Sequence, residues 1–174
     1  MADNTHMGND LEDMPQPDGI VTADSVVSTA ELLLVFGLDQ ETAAYIRYVT
    51  LKNAETVPHA LAAMLFGSVA RHNARPLTDP CPSDVDVLVV CSPEGDQEEV
   101  SSEQHAALSR AVVSGYAAYP DAPRDVQVLA ALTHFKGWDD PFVANVAREG
   151  VVLWARGPLP EVLSQLGERS GAGA

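Results

Sequence analysis

Leu65-Phe66-Gly67-Ser68-Val69-Ala70-Arg71, followed by Ser83-Asp84-Val85-Asp86-Val87-Leu88-Val89-Val90, decides how this chain is read. The first stretch closes a mainly apolar run, Ala60 to Phe66, that a glycine interrupts. That pattern predicts a buried central strand, a tight turn at Gly67-Ser68, and a helical turn from Ser68 through Asn73. The second stretch predicts another strand, Asp84 to Cys91. Residues i and i+2 share a face, so Val85, Val87 and Val89 point one way, and Asp84, Asp86, Leu88 and Val90 the other. Both faces turn apolar after the acids, which predicts a strand buried on both sides with its acids at one end. Pro76, Pro80 and Pro82 make the segment between the two strands a loop.

Upstream, Asp24 or Ser25 is expected to cap a helix running through Ala30, Leu33 and Leu34 to Phe36, ended by Gly37. A second helix is expected after Asp39, from Gln40 to Asn53, on the partial helical spacing of Ala43, Ala44, Ile46, Tyr48, Val49 and Leu51. Downstream, Ser101 with Gln104 forms a capping-box pattern. Val100, Leu108, Ala111, Val112, Gly115 and Tyr116 form a helical stripe, closed by Pro120 and Pro123. Arg124 to Leu132 predicts a third strand with Asp125 at its start. Asp140-Pro141 predicts a helix cap, with Phe142, Val143 and Val146 lining a helix that Gly150 ends. Val151 to Trp154 predicts a short last strand, and Pro160 to Leu166 a short helix. No internal repeat is visible.

The chain of 174 residues is 46% apolar, enough for one domain with a core. The acidic, proline-bearing segment Met1 to Gly19 predicts a flexible tail and no secretory signal. The expected organisation is therefore a tail over 1–19, a domain over 20–156 with its core at 58–155, and a C-terminal tail over 157–174. No run reaches the length of a membrane helix. Cys81 and Cys91 are too few for a disulfide framework or a zinc cluster, so a cytoplasmic location is the expectation. The formal net charge of −15, with ten scattered Lys and Arg residues, argues against a polynucleotide substrate. A free nucleotide is compatible, since metal ions and one or two arginines can carry its charge.

Gly67 allows a turn and the close approach of an anion; the amides that follow and the Ser68 hydroxyl could donate to it. An ordinary strand-to-helix turn explains the pair equally well. Asp84 and Asp86 put two like charges on one face of an apolar strand, and burying them unpaired costs several kcal/mol. A magnesium ion would compensate, since it takes one or two carboxylates with phosphate oxygens and water; a solvated strand end would need no ion. Asp125 is the third acid, able to complete a two-ion site or to take a proton from an attacking hydroxyl. It also reads as a turn aspartate after Pro123. Arg71, three residues after Ser68, could reach a phosphate oxygen or stand as a surface arginine. His59, His72, His105 and His134 show no ligand spacing, Cys91 reads as buried, and Trp138 and Trp154 read as packing residues.

Together, Gly-Ser, a loop, Asp-x-Asp and a separate third acid resemble the minimal nucleotidyltransferases of the DNA polymerase beta superfamily. The resemblance runs from about Ala60 to Trp154 and includes the closing Arg-Glu-Gly-Val. It implies an α/β (α+β) fold, a small mixed sheet flanked by helices. It also implies magnesium-dependent transfer of a nucleoside monophosphate, AMP from ATP, with release of pyrophosphate. Carried onto this chain, Gly67 and Ser68 would hold the triphosphate, with Arg71 beside them. Asp84, Asp86 and Asp125 would hold two magnesium ions. The loop from Val69 to Ser83 is longer and richer in proline than is usual in that family, and Val126-Gln127-Val128 follows the third acid in place of a more typical apolar run. Because little sequence follows Trp154, the resemblance points to an acceptor on a partner protein, as in antitoxins paired with a helical HEPN toxin. An aminoglycoside-like small-molecule acceptor and a non-catalytic binding module are the alternatives.

Overall fold

A computed structural model of the chain describes residues 26–132, 146 and 148–156. The expected tails, the Asp24 and Ser25 cap, His134, Trp138, the Asp140-Pro141 helix start with Phe142 and Val143, and the Pro160–Leu166 helix lie outside them.

The described elements run α1 (Thr29–Phe36), α2 (Gln40–Thr56), β1 (Ala60–Phe66), α3 (Gly67–Ala70), β2 (Val85–Cys91), α4 (Ser102–Ala118), β3 (Val126–Leu132) and β4 (Val151–Ala155). The four strands form one mixed sheet in the order β3-β2-β1-β4. β1 is antiparallel to both β2 and β4, and β2 is parallel to β3. The fold class is the expected one, an α/β architecture with a small mixed sheet flanked by helices.

Most element ends have a local cause. α1 begins at Thr29 because Ser28 caps it: the Glu31 amide donates to the Ser28 hydroxyl, and the Glu31 carboxylate accepts from the Ser28 amide. The cap is this Ser-x-x-Glu box, downstream of the expected Asp24 or Ser25. Gly37 ends α1 in the left-handed conformation, as expected. Asp39 caps α2 through the Thr42 amide, and the helix runs past Asn53 to Thr56. Ser101 and Gln104 form the expected reciprocal box on α4; Gln104 also donates to the Pro58 carbonyl and so ties α4 to the start of β1. Leu108, Ala111 and Gly115 of the expected stripe are buried, Tyr116 is exposed, and Gln104 and Ala107 join the buried face.

Strand alternation divides the core into two. Ala63 and Leu65 of β1, Val85, Val87, Val89 and Cys91 of β2, and Val126 and Leu132 of β3 face one side. They pack with Tyr45, Ile46 and Val49 of α2 and with Ala107 and Leu108 of α4. Ala62, Met64, Phe66, Leu88, Val90 and Ala131 face the other side and form a smaller cluster with Val146. β2 is buried along both faces from Val87 to Cys91, as expected. Burial without a charged neighbour pushes the Cys91 thiol up to about 11, so it packs as an inert apolar group. Trp154 is likewise buried in the core.

Candidate functional site

The site forms where β1 stops and β2 starts. The antiparallel register pairs Phe66 with Asp86, so the residue after Phe66 turns directly over the Asp86 carboxylate. That residue has to be glycine. Gly67 sits at φ +75°, and a Cβ there would overlap the carboxyl group of Asp86. The chain then winds through α3, where the Arg71 amide donates to the Gly67 carbonyl at 3.1 Å and the Asn73 amide to the Ser68 carbonyl at 3.0 Å.

The loop from His72 to Ser83 returns through one anchored end. The Arg75 amide donates to the Ser83 hydroxyl at 2.8 Å. The buried Arg124 guanidinium donates to the Ser83 carbonyl at 2.6 Å. The Val85 amide donates to the Asp125 carbonyl at 2.8 Å. These bonds pin the start of β2 beside the start of β3. The first-strand residue expected at Arg124 thus serves as a clasp, and β3 begins at Val126.

One cleft of about 390 Å³ gathers Phe66, Gly67, Ser68, Arg71, Asp86, Leu129, Val146 and Glu149. Four expected residues, Gly67, Ser68, Arg71 and Asp86, therefore share it. Asp84 does not line the cleft; it is exposed two residues upstream of Asp86 on the same strand face. Asp125 does not line it either. The charge of Asp125 is felt by Tyr45, whose hydroxyl donates to the Val112 carbonyl on the helical side of the sheet. Among the described residues, no group of three or more His, Cys, Asp or Glu side chains gathers to hold a metal ion.

Partial burial raises the Asp86 carboxyl above the usual carboxylate range; Asp84 raises it further and Arg71 opposes the shift. Glu149, which the sequence reading did not single out, forms an ion pair with Arg71 at 3.6 Å. Both partners are substantially exposed, so the pair is a weak hold on the guanidinium. The signal for Glu149 lay inside the Arg-Glu-Gly-Val segment. Its following glycine is packed so closely that a Cβ would come within 2.6 Å of the Val146 carbonyl and 2.7 Å of the Met64 methyl.

Chemically, the cleft offers a flexible cation, a hydroxyl, and two carboxylates, one of them half-buried. The cleft's carboxylates are Asp86 and Glu149, and Asp84 stands outside it two residues upstream of Asp86; the oxygen donors of Asp86 and Asp84 suit a hard cation such as magnesium, which needs only one or two protein carboxylates when a phosphate supplies the rest. Asp86, kept from easy ionisation by burial and by Asp84, is a group that a cation would stabilise.

No family model matches the chain, and no curated protein matches it. Among solved structures, the chain overlaps a structure described as a toxin-antitoxin with AMP-PNP at a TM-score of 0.45 and 16% identity, over 70% of this chain and 80% of that one. It overlaps a putative nucleotidyltransferase from Sulfolobus solfataricus at a TM-score of 0.38 and 20% identity, over 67% of this chain and 87% of that one.

Proposed function

We propose that the chain is a nucleotidyltransferase that binds ATP with magnesium in the Gly67–Asp86 cleft and moves AMP onto an acceptor hydroxyl. The observation that carries this reading is the Phe66–Asp86 register, which sets a glycine-serine turn against a part-buried carboxylate in one cleft. A free anion would be repelled by Asp86 and Glu149; a free cation would have no use for Ser68 and Arg71. A metal–polyphosphate pair suits both halves.

In this reading Asp86 and Asp84 would hold the ion, which supplies charge neutralisation at the phosphates. The Gly67 turn leaves room for a phosphate, and the Ser68 hydroxyl donates to it. Arg71 leaves Glu149 for a phosphate oxygen, because a polyphosphate outbids an exposed ion pair worth about 0–1 kcal/mol. The acceptor is a side-chain hydroxyl on a partner protein. Apolar side chains available to a protein partner are exposed at Leu34 and Val35 on α1, at Val113 and Tyr116 on α4, and at Leu129 in the cleft itself. The resemblance names that partner as a helical HEPN-type toxin, and the two lone cysteines suit the cytoplasm. No described helix is long and apolar enough to cross a membrane.

The test is transfer from ATP labelled at the α-phosphate, with magnesium, to a co-expressed partner or to an aminoglycoside. Asp84→Asn with Asp86→Asn is expected to cut transfer by about 10³-fold or more. Label on the aminoglycoside alone would move the acceptor to a small molecule. Neutralisation of a partner that survives the double substitution, with no label transferred, would make the chain a binding module.

A further inference from the structure

The two edges of the sheet are managed differently. β4 is covered: the Val27 amide donates to the Leu153 carbonyl at 2.8 Å and ties the segment ahead of α1 to that edge. β3 is the other edge, and among the described residues no strand lies on its outer side from Val126 to Ala131. The strand carries no proline, no charge and no bulge, the devices that natural edges use against further pairing. A groove of about 320 Å³ runs between this edge and α4. Leu108, Val112 and Val113 of α4 line it, with Val126, Gln127 and Val128 of β3. Val126 and Val128 share the face toward α4 and Gln127 projects to the opposite one, so the three line one groove only if the backbone edge of the strand is itself a wall. A backbone edge beside an apolar trough is what strand addition needs: the ladder holds the main chain, and the trough takes alternate side chains.

Charge selects the occupant. Asp121, Asp125 and Asp84 are exposed around the start of β3, where the Val85 amide bond to the Asp125 carbonyl holds β2 and β3 together. Arg124 does not offset them at the surface, because it is buried on the Ser83 carbonyl. A second copy would bring another net charge of −15 to the same place. We propose that the outer edge of β3 takes an extended segment of a partner protein as an added strand, with alternate apolar side chains in the α4 groove and a basic residue over Asp121 and Asp125. Such a strand lies about 4.8 Å from β3. Its remaining side chains stand on the face of Leu129, which lines the Gly67–Asp86 cleft, so a hydroxyl among them is carried to the cleft wall. That delivery rests on the transfer reading above; the docking does not.

Fluorescence anisotropy of the full chain with two labelled heptapeptides tests this. Both alternate valine and serine; one ends in two lysines, the other in two glutamates. The lysine peptide is expected to bind at least about tenfold tighter and to slow amide exchange within Val126–Ala131. Val113→Gln, at a position 68% exposed on α4, is expected to weaken it about fivefold. Asp121→Asn with Asp125→Asn is expected to remove the preference for lysine. Failure of both peptides to bind at about 1 mM, or equal binding with β3 exchange unchanged, would overturn the docking and leave the cleft reading untouched. Exchange within Val126–Ala131 already slow in the chain alone would make the chain's own sequence the occupant, and a doubled mass on sedimentation would make it a second copy; either overturns the proposal. These readings use no nucleotide. Label from ATP that never reaches the serine of a bound peptide would count against transfer and leave the docking standing.

Discussion

The two faces of the sheet are made by the same strands and do opposite things. On the face toward α2 and α4, Ala63, Leu65, Val85, Val87, Val89 and Leu132 are sealed from water and carry no charge. On the other face the rows begin apolar, with Ala62, Met64 and Val90, and end in Asp86, Gln127 and Leu129, where exposure and charge return. A two-residue period thus lets one strand supply stability with its odd positions and chemistry with its even ones. Substitutions on the helical face should change stability without touching binding, and substitutions at the site should change binding far more than stability.

The sharpest challenge to that separation is Ile46→Ala. Ile46 is fully buried in the helical-side core, so its truncation is expected to cost about 3 kcal/mol in urea unfolding. Nucleotide affinity of the folded fraction, measured by calorimetry, should stay within twofold; a tenfold loss would show that the faces are coupled. Two glycines make a matched pair. Gly67→Ala forces a side chain into the left-handed region and onto Asp86, and is expected to weaken nucleotide binding at least tenfold while costing about 1–2 kcal/mol. Gly115→Ala places its Cβ 2.5 Å from a Tyr45 ring carbon and 2.9 Å from a Val49 methyl. That crowding should outweigh the helix-propensity gain, for a net loss of about 1 kcal/mol with binding unchanged.

The smallest effect concerns Asp86 alone. Its carboxyl is raised in the fold by burial and by Asp84. The stability linked to its protonated form is therefore fully present below the unfolded value of about 3.9 and lost as pH rises through the raised value. Asp86→Asn should melt higher than wild type at neutral pH, on the order of 2 °C, with the gap closing toward pH 3. Magnesium with nucleotide should narrow the neutral-pH gap from the wild-type side, because only the wild type gains a ligand. A variant that melts lower at neutral pH would mean that Asp86 is already compensated by the protein.

Local chemistry was legible in the sequence and pairing was not. The four strands, the Gly37 stop, the Asp39 cap and the Ser101–Gln104 box follow from period and side-chain hydrogen bonding, which act within a few residues. The Gly67-Ser68 turn and Asp86 were legible as candidates for the same reason. The ladder register between β2 and β3 is a long-range fact, fixed by the Arg124–Ser83 and Val85–Asp125 bonds. A slip of two residues leaves every side chain on its original face, so alternation alone could not say which β3 residue lies beside Asp86. Glu149 enters the cleft from the segment before β4, which no local pattern joins to Arg71.

The clasp between Arg124 and Ser83 has an evolutionary corollary. Because it fixes where the second strand starts, the proline-bearing excursion from His72 to Pro82 can lengthen or shorten without displacing the acids downstream; loop closure penalises added residues only logarithmically. Residue spacing between a glycine-serine turn and its carboxylates is therefore a poor ruler for finding distant kin of this chain, and a buried arginine ahead of the parallel strand is a better one.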